Sequence, residues 1–175
     1  MDNLKSMTPS KRGEIFHSIR QELDVCIREV DKNYLKIGML WAYLCEHRAW
    51  RWWGEPVKDA NSLVRELNLG IKRGELDHLR RIWLMFGKYL QKEKTRPPLS
   101  KLILVHPVLL EGVFSSEAEK ESAIAEWVNK ANSLPLEAFK NEIRVSRGLV
   151  PTDVCTHEGD HENWLRCCIC NKFYK

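Results

Sequence analysis

The chain has 175 residues, of which 43% are hydrophobic and 30% charged, and its formal net charge is +4. This length suits one domain of ordinary size with a small appendage. No apolar run approaches the roughly 18 residues that a membrane span needs, so we expect a cytoplasmic protein with no membrane partner.

Positive charge is concentrated in one segment of the chain. Residues 72–96 contain eight Lys and Arg against three Asp and Glu, whereas residues 97–150 and 151–175 each carry one net negative charge. Clustered cationic side chains are the footprint of a surface that faces phosphate groups. A solvated helix face followed by a charged linker is the ordinary alternative.

Apolar residues with helical spacing occupy the amino-terminal third. Thr8 and Pro9 have the character of an N-cap and a first turn. A stripe then recurs every three or four positions, at Ile15, Ile19, Leu23, Cys26, Val30, Tyr34, Ile37, Trp41 and Leu44. This pattern fits one helix of more than 30 residues or two stacked helices. Its long apolar edge leaves a homodimer as an alternative.

Residues 61–90 predict a short helix, a glycine turn and a longer second helix. Asn61 or Ser62 is placed to cap the first helix, and the turn falls at residues 68–71 around Gly70. Apolar residues then recur along the second helix, at Leu76, Leu79, Trp83, Phe86 and Leu90. The opposite face carries basic residues, with Asp77 one turn from both Arg73 and Arg81.

A second helix that is apolar behind and cationic in front, directly after a glycine turn, is what insertion into the major groove requires. The nucleic-acid-binding candidates are therefore Lys72, Arg73, Arg80, Arg81 and Lys88. We expect Arg73, Arg80 and Arg81 to contact bases and the others to contact phosphate.

A charged stretch that ends in Pro97 and Pro98 predicts a linker to a second helical module. Residues 99–105 form a short apolar run, helical or extended, which Pro107 kinks or ends. Ser116 and Glu119 have the spacing of a capping box at the start of a further helix. A last helix follows Pro135, and nothing in this module has a catalytic pattern.

The tail carries four of the six cysteines in its last 21 residues. Cys155 and His157 form one close pair, and Cys167 and Cys170 form a C-x-x-C pair. Two such pairs joined by a loop are typical of a tetrahedral zinc site, and a segment this short needs a metal to fold. We predict a closed structural ribbon that binds Zn²⁺ through Cys155, His157, Cys167 and Cys170. His161 or Cys168 could replace one of these ligands.

Other interpretations of the tail remain open. Unpaired thiols and disulfides are the ordinary alternatives, although the polar start of the chain lacks a signal peptide, which favours a reducing compartment and hence metal over cystine. Acidic residues lie in the loop between the two pairs, at Glu158, Asp160 and Glu162. They leave a metal-dependent nuclease as a weaker alternative.

Two parts of the sequence resemble known families. Residues 34–40, Trp53 with Gly54, residues 63–67 and residues 69–73 together resemble the multihelical helix-turn-helix domains of phage, plasmid and integrative-element DNA-binding proteins. The tail resembles the short C-x-H…C-x-x-C zinc ribbons that end many phage and mobile-element proteins. Arg65 and Glu66 depart from the first pattern, and they leave a three-helix bundle without groove-reading geometry as an alternative.

The expected fold is mainly α: a multihelical bundle with a helix-turn-helix-like element at residues 8–96, a small helical module at 97–150, and a zinc ribbon at 151–175. The expected function is that of a non-enzymatic nucleic-acid-binding protein, either a transcription regulator or an accessory subunit of a mobile-element nucleoprotein, with duplex DNA as its partner. The alternative is a protein–protein adaptor or inhibitor that docks on a larger complex.

Overall fold

The computed structural model describes residues 6–53, 57–91 and 95–149, together with the backbone of His161–Glu162 and Arg166–Cys167. This part of the chain contains seven α-helices and one pair of two-residue strands, so the prediction of a mainly helical protein is confirmed. The chain divides into two compact units, Met1–Glu93 and Lys94–Lys175.

The first unit opens with two antiparallel helices, α1 (Pro9–Ile27) and α2 (Val30–Glu46). The apolar stripe is therefore two helices that fold back on each other. The Nζ atom of Lys36 on α2 lies 2.5 Å from Oε1 of Glu22 on α1. The side-chain amide of Asn33 donates to the carbonyl oxygens of Cys26 and Glu29, at 3.3 Å and 3.2 Å. These bonds tie the first turn of α2 to the end of α1 and to the residue that precedes α2.

A short 3₁₀ turn (Ala49–Arg51) follows α2 and leads towards α3 (Ala60–Leu67). The cap of α3 is Asp59, two or three residues before the predicted Asn61 or Ser62. Its carboxylate accepts from the backbone N–H of Ser62 at 2.7 Å, and the Ser62 hydroxyl accepts from the N–H of Asp59 at 2.9 Å. This reciprocal pair is a capping box, and it fixes where α3 begins.

Helix α4 (Arg73–Leu90) packs antiparallel to α2 and completes the first unit. Five residues join it to α3, and two of them have left-handed backbones: Asn68 (φ 49°) and Gly70 (φ 70°). Gly38 marks the closest approach of α2 and α4. A Cβ at this position would clash with the carbonyl oxygen of Leu79 and lie 2.9 Å from Cβ of Trp83. The two backbones can therefore meet only because residue 38 has no side chain.

The second unit contains α5 (Leu99–Glu111), α6 (Glu117–Ser133) and α7 (Leu136–Ser146). Residues 99–105 are helical rather than extended, and α5 passes through Pro107 instead of ending there. Ser116 caps α6, because its hydroxyl accepts from the backbone N–H of Glu119 at 3.1 Å. The reciprocal bond of the predicted capping box forms one residue earlier, where the Glu119 carboxylate accepts from the backbone N–H of Ser115 at 2.7 Å. Trp127 and Phe139 meet edge to face in the core, with ring centroids 5.7 Å apart.

A buried lysine ties α5 to the end of α6. The Nζ atom of Lys101 donates to the carbonyl oxygens of Ala131 and Leu134, at 2.8 Å and 2.5 Å, and the residue is only 9% exposed. The last carbonyls of a helix have no partner within it and carry partial negative charge, so a cation is well placed there.

Two short strands lie in the predicted ribbon, β1 (His161–Glu162) and β2 (Arg166–Cys167). They pair antiparallel, with His161 opposite Cys167 and Glu162 opposite Arg166. The rest of the segment predicted as a separate 151–175 module lies outside the described residues.

Candidate nucleic-acid interface

Helix α4 has one buried face and one exposed face. The buried face packs into the first unit through Leu76, Leu79, Ile82, Phe86, Gly87 and Leu90. Successive residues of an α-helix lie about 100° apart, so the opposite side presents Arg73, Asp77, Arg81, Leu84 and Lys88. The predicted separation of apolar and basic faces is therefore present, although Ile82 was missing from the predicted apolar stripe and Leu84 interrupts the basic one.

Arg73 is the first residue of α4, and two neighbours hold its guanidinium group. Its Nε atom donates to Oδ2 of Asp77 at 3.2 Å, the pairing that the four-residue spacing predicts. Its Nη1 atom donates to Oδ1 of Asn61 on α3 at 2.9 Å. Arg73 thus connects the two helices and remains exposed at the surface.

Asp77 is held in turn by the core. Its Oδ1 atom accepts a hydrogen bond from the indole Nε1 of Trp41 on α2 at 2.8 Å, and Trp41 is fully buried. The indole N–H gains the partner that burial requires. A chain of hydrogen bonds therefore runs from the interior of the unit through Asp77 to Arg73 and ends at Asn61.

Arg80 does not lie on the open face with the other basic residues. Its side chain is half-buried, and Nε is a buried atom with no hydrogen-bond partner among the described residues. It lies near Cys45 on α2: burial raises the pKa of the Cys45 thiol, and the Arg80 cation opposes that rise. Arg80 is therefore a poor candidate for contact with a base.

Arg81, Lys72 and Lys88 are exposed. Arg81 donates through Nε to the backbone carbonyl of Asp77 at 3.3 Å and not to its carboxylate, which differs from the predicted ion pair. The backbone N–H of Lys72, at the N-cap of α4, donates to Oε2 of Glu75 at 2.9 Å. Arg73 and Arg81 therefore lie together around Asp77. Lys88 lies two turns beyond Arg81 and extends the cationic face towards the end of α4.

Three features of this surface were not found from the sequence. Asn61 is 12 residues from Arg73, and no local pattern relates the two. Leu84 is 63% exposed between the cations Arg81 and Lys88. Gly74, beside Arg73, is exposed in the first helical turn, and a Cβ built there would meet nothing within 4 Å. The sequence could have pointed to Gly74, because a glycine within a predicted helix lowers its stability relative to alanine and therefore suggests a role other than helix formation.

The tryptophans at residues 50–53 lie in the corner after α2. The ring of Trp53 stacks on Phe16 of α1 with centroids 4.8 Å apart. The guanidinium of Arg12 lies 4.6 Å from the ring centroid of Trp52. The stacking contact packs Trp53 within the unit, whereas Trp52 remains 39% exposed beneath the Arg12 guanidinium.

The predicted zinc ligands Cys155, His157 and Cys170 lie outside the described residues, and only the backbone of Cys167 is described. Within residues 6–53, 57–91 and 95–149, no three His, Cys, Asp or Glu side chains group together in a way that could hold a metal ion. Among the helices that the structure describes, none has the length and apolar character to cross a membrane.

No protein-family model matches the chain, and comparisons with curated proteins and with solved structures give no match.

Proposed function

We propose that the protein is a non-enzymatic, duplex-DNA-binding protein that uses the exposed face of α4, as a transcription regulator or an accessory subunit of a mobile-element nucleoprotein. The observation that carries the proposal is the exposed face itself, on which Arg73, Arg81 and Lys88 lie opposite an entirely apolar face. Residues 72–88 contain five Lys and Arg against two acidic residues.

The arrangement of α3 and α4 supports a helix-turn-helix role. In this motif a short first helix crosses the DNA backbone, and the amino-terminal residues of the second helix meet base edges in the major groove. Here α3 has eight residues, α4 has 18, and the left-handed residues Asn68 and Gly70 turn the chain between them. Because α4 is about 27 Å long at 1.5 Å per residue, its first turns can enter the groove while Lys88 reaches phosphate.

A salt titration of duplex binding tests the proposal. Phosphate contacts release counterions, so the logarithm of the binding constant should fall linearly with the logarithm of the salt concentration. The double variant Arg81→Glu/Lys88→Glu should weaken binding at least tenfold. It should also reduce the salt slope by about two, because two phosphate contacts are lost. Fluorescence anisotropy with a labelled duplex measures both quantities.

The matched control makes the same charge change on α1. The double variant Lys11→Glu/Arg20→Glu alters two exposed basic residues away from α4, and it should lose little affinity. Equal losses for the two double variants would contradict a role for α4. Duplex binding without salt dependence, or no binding, would reject the proposed function.

The carboxy-terminal ribbon completes the proposal. Cys155, His157, Cys167 and Cys170 would bind one structural Zn²⁺ ion, since their number and spacing suit tetrahedral coordination. The antiparallel pairing of β1 with β2 supports two strands leading into the second ligand pair. The ribbon would add a second contact to DNA or dock a partner protein.

One observation favours a protein–protein adaptor as a second candidate. A leucine as exposed as Leu84, flanked by Arg81 and Lys88, also suits an acidic amphipathic helix from another protein. The salt titration separates the two candidates, because an adaptor would show no affinity for duplex DNA.

A further inference from the structure

We infer that Arg73 reads a guanine base in the major groove, with Asn61 and Asp77 as the residues that position it. This inference rests on the proposed function, and it goes further by assigning a specificity-determining residue and the base that it recognises. Arg73 is the first residue of α4, the end of a second helix that meets base edges in a helix-turn-helix complex.

The guanidinium group of Arg73 is oriented before any ligand binds. Asp77 holds Nε and Asn61 holds Nη1, while the buried Trp41 fixes Asp77 from behind. A guanidinium group has five N–H donors, and these two bonds leave three of them for a ligand. Paired donors in a fixed plane suit the O6 and N7 acceptors of guanine, which arginine contacts more often than any other base edge.

The charge around Arg73 favours a base over a phosphate group. The carboxylate of Asp77 lies 3.2 Å from Nε of Arg73 and offsets its positive charge. A phosphate group would meet this carboxylate as a like charge, whereas the neutral acceptors of guanine need only directed donors. The Nε atom of Arg81 donates to the backbone carbonyl oxygen of Asp77 and not to its carboxylate, so Arg81 is better suited to phosphate.

Gly74 supports a close approach to this end of α4. Glycine costs a helix stability relative to alanine, and no neighbouring atom lies where a Cβ would stand, so the fold does not require it. The missing side chain instead leaves the surface beside Arg73 open to the edge of a base pair.

Site selection followed by quantitative binding tests the inference. Duplexes selected from a random pool by the full-length wild-type protein should share a guanine, and replacing that guanine should weaken wild-type binding at least fivefold. The variant Arg73→Lys keeps the charge and loses the planar pair of donors. It should bind the original and the replaced duplex equally, with an unchanged salt slope.

Two further variants separate base reading from a general effect on the fold. Asn61→Ala removes one of the two bonds that orient Arg73, and it should reduce the preference for guanine without changing the salt slope. Arg65→Lys makes the same chemical change on the exposed side of α3, and the preference for guanine should survive it.

Gly74→Ala should shift stability and binding in opposite directions. It should raise the urea midpoint, because alanine favours helix more than glycine does. It should also weaken binding to the selected duplex, because the added methyl group holds the base pair away from Arg73. Equal or tighter binding would overturn the inference.

The outcomes distinguish this inference from the proposed function. Salt-dependent duplex binding without a guanine preference, or with a preference that Arg73→Lys retains, would overturn the role of Arg73 and leave the proposed function standing. The absence of salt-dependent duplex binding would reject both.

Discussion

His78 lies between the buried and exposed faces of α4, where its surroundings oppose protonation. Burial lowers the pKa of its imidazole below the ordinary value of 6.5, and the nearby Arg81 cation lowers it further. The unfolded chain therefore binds this proton more readily than the folded protein does. The contribution of His78 to stability is fully present above pH 6.5 and is lost as the pH falls from there through the lowered pKa.

The lowered pKa of His78 predicts that the free energy of unfolding depends on pH, and that replacing His78 reduces this dependence. The free energy of unfolding of the unit that contains α4 should fall between pH 7.5 and pH 5.5, and His78→Gln should make that fall smaller. Urea unfolding of both proteins at pH 7.5, 6.5 and 5.5 measures the difference. The same pH slope in wild type and variant would contradict the prediction.

Among individual residues, one of the two predicted local ion pairs of Asp77 forms, and the contacts between distant residues were not predicted. The ion pair of Arg73 with Asp77 follows from four-residue spacing on a helix. The bond from Asn61 to Arg73 depends on how α3 packs against α4. The bonds of Lys101 span 30 and 33 residues. The half-buried position of Arg80 was not predictable from the sequence either, because it depends on which side of α4 packs against α2.

Among the elements, α2 and α4 depend on Gly38 for their contact. Gly38→Ala would place a methyl group against the carbonyl carbon of Leu79, at 2.8 Å, and against the side chain of Trp83. Two helix backbones would have to separate, so we expect a loss of about 1–3 kcal/mol in the free energy of unfolding. Denaturant unfolding of the full-length protein measures it.

Gly13 provides the matched control for this prediction. It lies in α1, and a Cβ built there would meet nothing within 4 Å. Gly13→Ala should therefore stabilise the protein, by about 0.5–1 kcal/mol, because alanine has the higher helix propensity. Similar effects of the two substitutions would show that the close approach at Gly38 is unimportant.

Helix periodicity predicted most elements because each helix buries a stripe that its own sequence contains. Boundaries were harder to predict. The cap of α3 was missed because Asp59 and Ser62 satisfy each other's backbone groups, a reciprocal bond that residue type alone does not distinguish from a cap at Asn61. Helix α5 continues through Pro107, since packing against α6 and α7 outweighs the one lost hydrogen bond.

For the whole molecule, the excess charge belongs to one unit. Met1–Glu93 carries 17 Lys and Arg against 13 Asp and Glu, whereas Lys94–Lys175 carries 11 of each. An overall charge of +4 would attract a polyanion weakly if it were spread evenly. Its restriction to the unit that contains α4 is consistent with the proposed DNA interface on α4.

The zinc proposal gives a prediction for the intact chain. Purified protein should contain one zinc ion per chain by elemental analysis, and Cys167→Ser should abolish it, because three ligands bind a structural zinc far more weakly than four. Cys45→Ser, at a half-buried cysteine of α2, should retain the metal. Wild-type protein without zinc would contradict the ribbon.

The bonds of Lys101 have a consequence for chemical labelling. An amine-reactive reagent must reach the Nζ atom of a lysine to acetylate it, and here Nζ donates to the carbonyl oxygens of Ala131 and Leu134 while the residue is only 9% exposed. Exposed lysines such as Lys11 and Lys58 should be modified within the first minutes of exposure. Lys101 should react only when α5 detaches from α6. The acetylation rate of Lys101 therefore measures how often the second unit opens.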